Sequence, residues 1–256
     1  MKGFWPIYKK ELYGMFMSPI FYVVAFFFLL ICGIFFNYIL RQVIMVSYQV
    51  AQNPELAQNI SMPDLFMRSF LWNISVVMLF VAPLLTMRLY AEELKSGTIE
   101  LLYTYPVTDL ATVAAKFAAC MTTFTILIAA TLPGVIMLSS IAGSSWKPIV
   151  CGYGGLFLLG CSFISLGTFA STLTRNQIVA AIITFGILLV LWFIGQAKSS
   201  ASPLVGSIFG YLSVSDHFEG LAKGLLDSRD IVFYVVFSAF FLFLTLRQMS
   251  SYRWRG

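Results

Sequence analysis

Six long stretches without a charged residue alternate with short polar segments along the chain. The stretches cover 12–40, 69–87, 117–146, 148–174, 176–197 and 231–246. A helix needs about 20 mostly apolar residues to cross a ~30 Å hydrocarbon layer, with a range of roughly 17–25. The last stretch is short by that measure, but the charged groups of Asp230 and Arg247 at its ends can reach the interfaces. The pattern therefore predicts six membrane-spanning helices.

The continuous apolar character of these stretches favours helices over a β-barrel. Barrel strands alternate polar and apolar residues in segments of about ten, whereas the segment 21–36 is apolar on every side. We therefore predict an all-α integral membrane protein with a single transmembrane domain, 1–256. Its predicted parts are an interfacial helix at 4–17, spans at about 19–40, 69–90, 110–140, 148–172, 177–195 and 231–248, a loop at 91–108, and an outer-face segment at 196–230.

Composition and charge support a membrane location. The chain is 59% hydrophobic and 11% charged, against roughly 45–50% and about 25% in soluble domains. Six spans place both termini on one side, and ten of the 16 Lys and Arg residues lie there: Lys2, Lys9, Lys10, Arg88, Lys95, Lys116, Arg175, Arg247, Arg253 and Arg255. The positive-inside rule then predicts cytoplasmic termini. Because the basic residues are dispersed at membrane edges, we expect anionic lipid as their counter-charge and no nucleic-acid partner.

The sequence offers little material for catalysis. His217 is the single histidine, and we expect it to be solvated. The four cysteines lie inside predicted spans and are interpreted as packing residues. No catalytic or metal-binding motif is found, so we predict no catalytic residue and no metal site. No ionisable residue is expected near mid-span, where an ion-driven carrier usually needs one. The energy source is therefore expected outside the bilayer.

The N-terminal segment 4–17 has the pattern of a helix that lies on the membrane surface. Apolar residues recur at helical spacing, while charged residues gather elsewhere on the helix. Pro19 disfavours helical geometry in the residue before it, so we expect a bend there. The alternative is that 4–17 simply extends the first span. The residues predicted for this interfacial helix are Trp5, Tyr8, Lys9, Lys10 and Leu12.

The loop 91–108 between the second and third spans is strongly charged. The helix of the second span is expected to continue to Lys95, and Ser96 and Gly97 are expected to interrupt it. A short helix follows until Pro106, and its leucines need a partner because the loop is too short to form a core. Two interpretations stay open: an amphipathic linker on lipid headgroups, or a helix that inserts into a groove of a soluble partner.

The residues of this loop resemble a known signature. The run Glu92-Glu93, Gly97-Thr98, Glu100-Leu101-Leu102 and Pro106-Val107-Thr108, followed by Lys116-Phe117, resembles that of type-2 ABC transporter permeases. The surface helix, the six spans and the long outer segment are similar too. The segment from Asp216-His217-Phe218-Glu219 to Tyr234 resembles the gliding-motility-associated (Gld-type) subgroup. That subgroup is similar in layout to the permease of nitrous oxide reductase maturation.

The resemblance implies a permease that is not itself an enzyme. ATP and Mg²⁺ would bind to a dimer of cytoplasmic ABC ATPases, since the chain has no phosphate-binding loop. A second permease copy or paralogue, an auxiliary extracytoplasmic subunit and membrane lipid would be the other partners, in the bacterial inner membrane. The helix after Gly97 would be a coupling helix. The resemblance assigns nine residues to the coupling of the permease with the ATPase: Glu92, Glu93, Gly97, Thr98, Ile99, Glu100, Leu101, Leu102 and Pro106.

Two other functions remain open at this point. A secondary carrier would transport with a counter-ion and without an ATPase. A membrane scaffold of an envelope or motility complex would tolerate mutations in the ATP site of a neighbouring ATPase. Neither the substrate nor the identity of the second permease follows from the sequence.

Overall fold

The computed structural model describes residues 3–52, 62–98, 107–142, 146–198 and 202–255. Within these ranges all regular elements are helices, which confirms the all-α class. In chain order they are α1 (Phe4–Met17), α2 (Pro19–Gln52), α3 (Met62–Thr86), α4 (Ala91–Ser96), α5 (Asp109–Ala129), α6 (Leu132–Ala142), α7 (Lys147–Thr172), α8 (Gln177–Ala197), α9 (Pro203–Leu212), α10 (Val214–Ala222) and α11 (Ser228–Arg255).

Six segments of the described chain are long and apolar enough to cross a membrane. They contain α2, α3 with α4, α5 with α6, α7, α8 and α11. Helices α3 and α7 are the most buried and pack against each other at the centre, while the other spans surround them. The surrounding helices expose large apolar side chains outward. This arrangement is typical of a bundle whose solvent is lipid.

Glycines allow α7 to approach its neighbours closely. A Cβ atom at Gly160 would lie 1.9 Å from the ring of Phe124 on α5, and one at Gly167 would lie 2.2 Å from Oγ1 of Thr86 on α3. Both distances are far below van der Waals contact. The contacts of α7 with α3 and α5 therefore depend on these missing side chains.

Helices α1 and α2 are separate elements joined at Ser18. Ser18 has an extended backbone, with φ −82° and ψ 126°, and its N–H bonds the carbonyl of Met15. Helix α2 then has 34 residues, or about 51 Å at 1.5 Å per residue. It continues past the expected end of the first span near residue 40, because 41–52 keeps helix-compatible residues with no proline or glycine.

The second span does not continue as one helix to Lys95, so that expectation is wrong. Helix α3 ends at Thr86, a turn occupies 87–90, and α4 begins at Ala91. The turn is stabilised from another helix: the hydroxyl of Ser171 on α7 accepts hydrogen bonds from the backbone N–H groups of Tyr90 and Ala91. A side chain remote in sequence therefore replaces bonds that a continuous helix would form internally.

Both chain ends lie at one end of the bundle, which we call the terminal end. Tyr252 near the C-terminus donates to the carbonyl of Thr172, and Tyr8 in α1 hydrogen-bonds Thr122. The opposite end, which we call the far end, is covered by α9 and α10. Ser213 caps α10 by accepting from the N–H of Asp216.

His217 is not solvated, which corrects the expectation from the sequence. Its Nδ1 lies 2.7 Å from a carboxylate oxygen of Asp230, and its ring stacks on Phe233 with centroids 4.1 Å apart. Nearby, the hydroxyl of Tyr234 donates to the carbonyl of Val214. His217 therefore joins α10 to α11 as a structural contact.

Candidate functional site

The most unusual polar group of the bundle is the ammonium of Lys116, two turns inside the start of α5. Its side chain is only 1% exposed. The Nζ atom lies 3.0 Å from Oε1 of Glu11 on α1 and 3.0 Å from Oε1 of Glu93 on α4. It also donates to the carbonyl of Leu89 in the α3–α4 turn at 2.7 Å and lies 5.0 Å from the ring centroid of Tyr90. A buried charge needs such partners, because burial without them is very costly.

Lys10 completes this group, which we call the terminal-end charge cluster: Lys10, Glu11, Glu93 and Lys116. The Nζ atom of Lys10 lies 3.1 Å from Oε1 of Glu93 and 3.6 Å from Oε1 of Glu11. Partial burial lowers the pKa of Lys10, but the charges of Glu93 and Glu11 outweigh burial and leave its pKa raised. The other oxygen of Glu93, Oε2, is buried and receives no hydrogen bond from the described residues. Two ammonium groups thus share one carboxylate oxygen.

The cluster joins three elements that are far apart in the sequence. Glu11 belongs to the surface helix α1, Glu93 to α4 just before Gly97, and Lys116 to the first turns of α5. Their side chains surround a cavity of about 320 Å³, which is also lined by Arg88, Ser96 and Thr98. The cluster therefore links α4, which leads into the loop 97–108, to α1 and α5.

The start of α5 has its own cap. Thr108 accepts a hydrogen bond from the N–H of Ala111, and the backbone of Thr108 is extended. Such a cap satisfies one of the N–H groups that a helix start leaves unpaired. It fixes the point at which the loop 97–108 re-enters the bundle, two turns before Lys116.

Ser171 provides the first test of the α3–α4 turn. Its hydroxyl accepts from two buried N–H groups and donates to the carbonyl of Met87. Ser171→Ala leaves both N–H groups without this acceptor, and an unsatisfied buried group costs about 1–3 kcal/mol. We expect lower stability in detergent and faster amide hydrogen exchange across 87–96.

Ser165→Ala is the matched control for this prediction. Ser165 is equally buried on the same helix, but its hydroxyl returns to the carbonyl of Ser162 within α7. We expect no change in the exchange of 87–96 for this variant. Equal exchange in both variants would contradict the role of Ser171.

Only part of the predicted coupling loop belongs to the described residues. Glu93 lies in the charge cluster, whereas Glu92 is exposed and lines the cavity. Gly97 ends α4 with φ +72°, a left-handed conformation that suits glycine. Thr98 is exposed and hydrogen-bonds Ser96. The residues Ile99, Glu100, Leu101, Leu102 and Pro106 lie outside the described residues.

The predicted residues of the interfacial helix fall on different faces of α1. Tyr8 and Leu12 are half-buried, and Tyr8 contacts α5 through Thr122. Trp5 is exposed and stacks on Tyr8, and the ammonium of Lys9 lies 5.3 Å from the Trp5 ring centroid. Lys10 lies in the charge cluster. The helix therefore has an inner face toward α5 and an aromatic, basic outer face.

Sequence reasoning did not identify Glu11, Ser171 or the buried state of Lys116 as parts of this site. Glu11 lies 105 positions from Lys116, so no local spacing relates the two. One signal was present: Lys116 stands immediately before a long uncharged stretch. A charge at such a border indicates either an interfacial residue or a buried ion pair, and the structure shows the latter.

A comparison with protein families identifies the relationship of the whole chain. A family model described as ABC-2 family transporter protein matches residues 5–246. No curated protein matches the sequence significantly. Members of this family are transmembrane components of ABC transporters and carry no ATPase of their own. Because the match covers nearly the full length, the chain belongs to the ABC-2 family of transporter proteins as a membrane-embedded permease component.

Proposed function

We propose that this chain converts ATP hydrolysis by a separate ABC ATPase into movement of a substrate across or out of the bacterial inner membrane. The observation that supports this most is the terminal-end charge cluster. It connects α4, the helix that precedes the loop 97–108, with α1 and α5 through contacts of Lys116 at 3.0 Å. A permease that is driven by a separate cytoplasmic ATPase needs a connection between the loop that contacts the ATPase and the membrane spans.

The mechanism that we propose begins at the ATPase pair. Closure of the pair on ATP displaces the helix that follows Gly97. Glu93 then carries the displacement to Lys116 on α5, and Glu11 carries it to α1. Because α5 packs on α7 at the centre of the bundle, the spans rotate as rigid bodies rather than bending individually. A path opens between this bundle and that of the second permease.

The proposed orientation places the terminal end in the cytoplasm. The excess of Lys and Arg on that side supports it, and so does the need of the loop 97–108 to reach a soluble ATPase. The far end with α9 and α10 then faces the outside. We also propose membership in the Gld-type subgroup on the residues from Asp216 to Tyr234, where His217 contacts Asp230 and Tyr234 contacts Val214.

Glu93→Gln tests coupling without removing the bulk of the side chain. The variant keeps Lys116 paired with Glu11 and the Leu89 carbonyl, but the bond between α4 and α5 loses its charge. Charge-assisted bonds contribute about 1.5–3 kcal/mol, so we expect permease-dependent ATP hydrolysis to fall about tenfold or more. The measurement uses the complex with the ATPase that co-purifies in mild detergent, compared with that ATPase alone.

Glu92→Gln is the matched control. The resemblance assigns coupling to Glu92 too, but its side chain is exposed and lies outside the terminal-end charge cluster. We expect this variant to retain most of the stimulation. Stimulation that is equal in both variants would reject the coupling role of Glu93. Transport driven by a counter-ion without ATPase would favour the secondary carrier, and an unchanged function after mutation of the ATP site would favour the scaffold.

A further inference from the structure

Helix α3 carries an uncovered stripe although most of its surface is buried. Its neighbours α2 and α8 pack on either side, and between them Trp72 and Val76 are half-buried, whereas Phe80 and Leu84 are 56% and 40% exposed. These positions recur every four residues, so they lie on one face of the helix. The stripe from Trp72 to Leu84 is about 18 Å long, slightly more than half the ~30 Å thickness of a hydrocarbon layer.

A cavity with an apolar wall and a few polar groups lies at the far end of this stripe. It has a volume of about 380 Å³ and is lined by Leu65, Arg68, Ser69, Trp72, Asn73, Glu219 and Ala222. The indole of Trp72 packs against the indole of Trp192 on α8, with ring centroids 5.2 Å apart. The cavity therefore combines an aromatic wall with amide, hydroxyl and charged groups at its mouth.

The ion-pair network at the mouth, formed by Arg68, Glu219 and Lys223, carries one excess positive charge. The guanidinium of Arg68 and the ammonium of Lys223 both contact Oε1 of Glu219. The hydrogen bond from Lys223 lowers the pKa of Glu219, and the charges of Lys223 and Arg68 add to this effect, so the carboxylate stays ionised. The contact of Arg68 with Glu219 uses Nη2, and a guanidinium has five N–H donors. Arg68 can therefore contact a further anion.

We infer that this cavity binds the anionic headgroup of an amphiphile whose acyl chain lies along the α3 stripe. Two features are continuous: an ion-pair network at the mouth with one excess positive charge, and an apolar stripe that runs about 18 Å from Trp72 to Leu84, close to the depth of one leaflet. A phosphate is the group that a guanidinium binds best with several donors. The inference rests on the proposed function in one respect, namely that such an amphiphile represents the class of substrate that this permease moves.

Trp72 allows the binding to be measured directly. The full chain is placed in nanodiscs of phosphatidylcholine that contain a minor fraction of either brominated phosphatidylglycerol or brominated phosphatidylcholine. Bromine quenches indole fluorescence at short range, and the Trp72 signal is the difference between the wild-type chain and Trp72→Phe. Basic residues near a membrane favour anionic lipid by about fivefold each, so we expect phosphatidylglycerol to quench Trp72 about fivefold more effectively.

Variants of Arg68 decide whether the cavity causes this preference. Arg68→Gln is expected to make the two lipids equal, and Arg68→Lys to retain much of the preference. Arg41→Gln is the matched control, because Arg41 is an exposed arginine in the half of α2 that leads to the far end. This variant should keep the wild-type ratio of quenching by the two lipids. Because no nucleotide is used, this result is independent of ATP coupling.

Two results would overturn the inference. Equal quenching of the wild-type chain by both lipids would mean that only bulk lipid reaches Trp72. Absence of quenching by either lipid would mean that another protein chain covers the stripe.

Discussion

Lys116→Met will strongly destabilise the protein at its terminal end. The variant leaves the carboxylates of Glu11 and Glu93, 14% and 13% exposed, without their buried partner. Removing one member of a buried ion pair costs about 3–5 kcal/mol, because the remaining charge stays uncompensated. We expect this loss in unfolding measurements in mild detergent, with the fastest hydrogen exchange in α1, whose attachment to α5 is weakened.

A triple variant separates the charge effect from the loss of packing. Lys116→Met combined with Glu11→Gln and Glu93→Gln contains no unpaired buried charge of this cluster. Replacing a buried ionic group by neutral residues of similar volume is often neutral, so we expect most of the stability to return. A triple variant that is as unstable as the single variant would contradict the assignment of the effect to charge.

Gly160→Ala will have the second large effect. The new methyl group would lie 1.9 Å from the ring of Phe124, which is 1% exposed. Overpacking of a close-packed interior typically costs about 1–3 kcal/mol. We expect α5 and α7 to separate slightly, and the variant to melt at a lower temperature in detergent.

Gly154→Ala on the same helix is the control for this prediction. A Cβ atom at Gly154 would have no neighbour within 4 Å, so we expect unchanged or slightly higher stability. Gly160→Ala should also be rescued by Phe124→Leu, which removes the atoms in conflict. Equal stability of the two glycine variants would show that the α5–α7 contact is not tight.

The positions of charged residues were enough to predict the fold class. Each of the six predicted stretches corresponds to a segment that can cross a membrane, and the all-α class with six candidate spans is confirmed. The boundary at Thr86 was not predictable in this way. A local sequence does not reveal that Ser171, 81 positions later, accepts the N–H of Tyr90 and ends the helix.

The candidate site was predicted only in part for the same reason. The sequence indicated the loop 91–108 and the helix 4–17 as two separate features. Their connection depends on Lys116, which contacts Glu11 and Glu93 only after folding brings α1, α4 and α5 together. The environment of His217 depends likewise on Asp230, 13 positions away in the next helix. Long-range pairs of this kind leave no periodic pattern in a single sequence.

Crosslinking from the loop 97–108 tests the central claim most directly. A photoreactive residue is introduced in place of Leu101, and in a control chain in place of Leu225, which is exposed at the far end. Membranes that contain the complete transporter are then irradiated with and without ATP. We expect a crosslink from position 101 to a soluble ATPase, with a yield that changes when ATP is added. We expect no crosslink to the ATPase from position 225. Crosslinks from position 101 to lipid alone, under both conditions, would contradict the central claim.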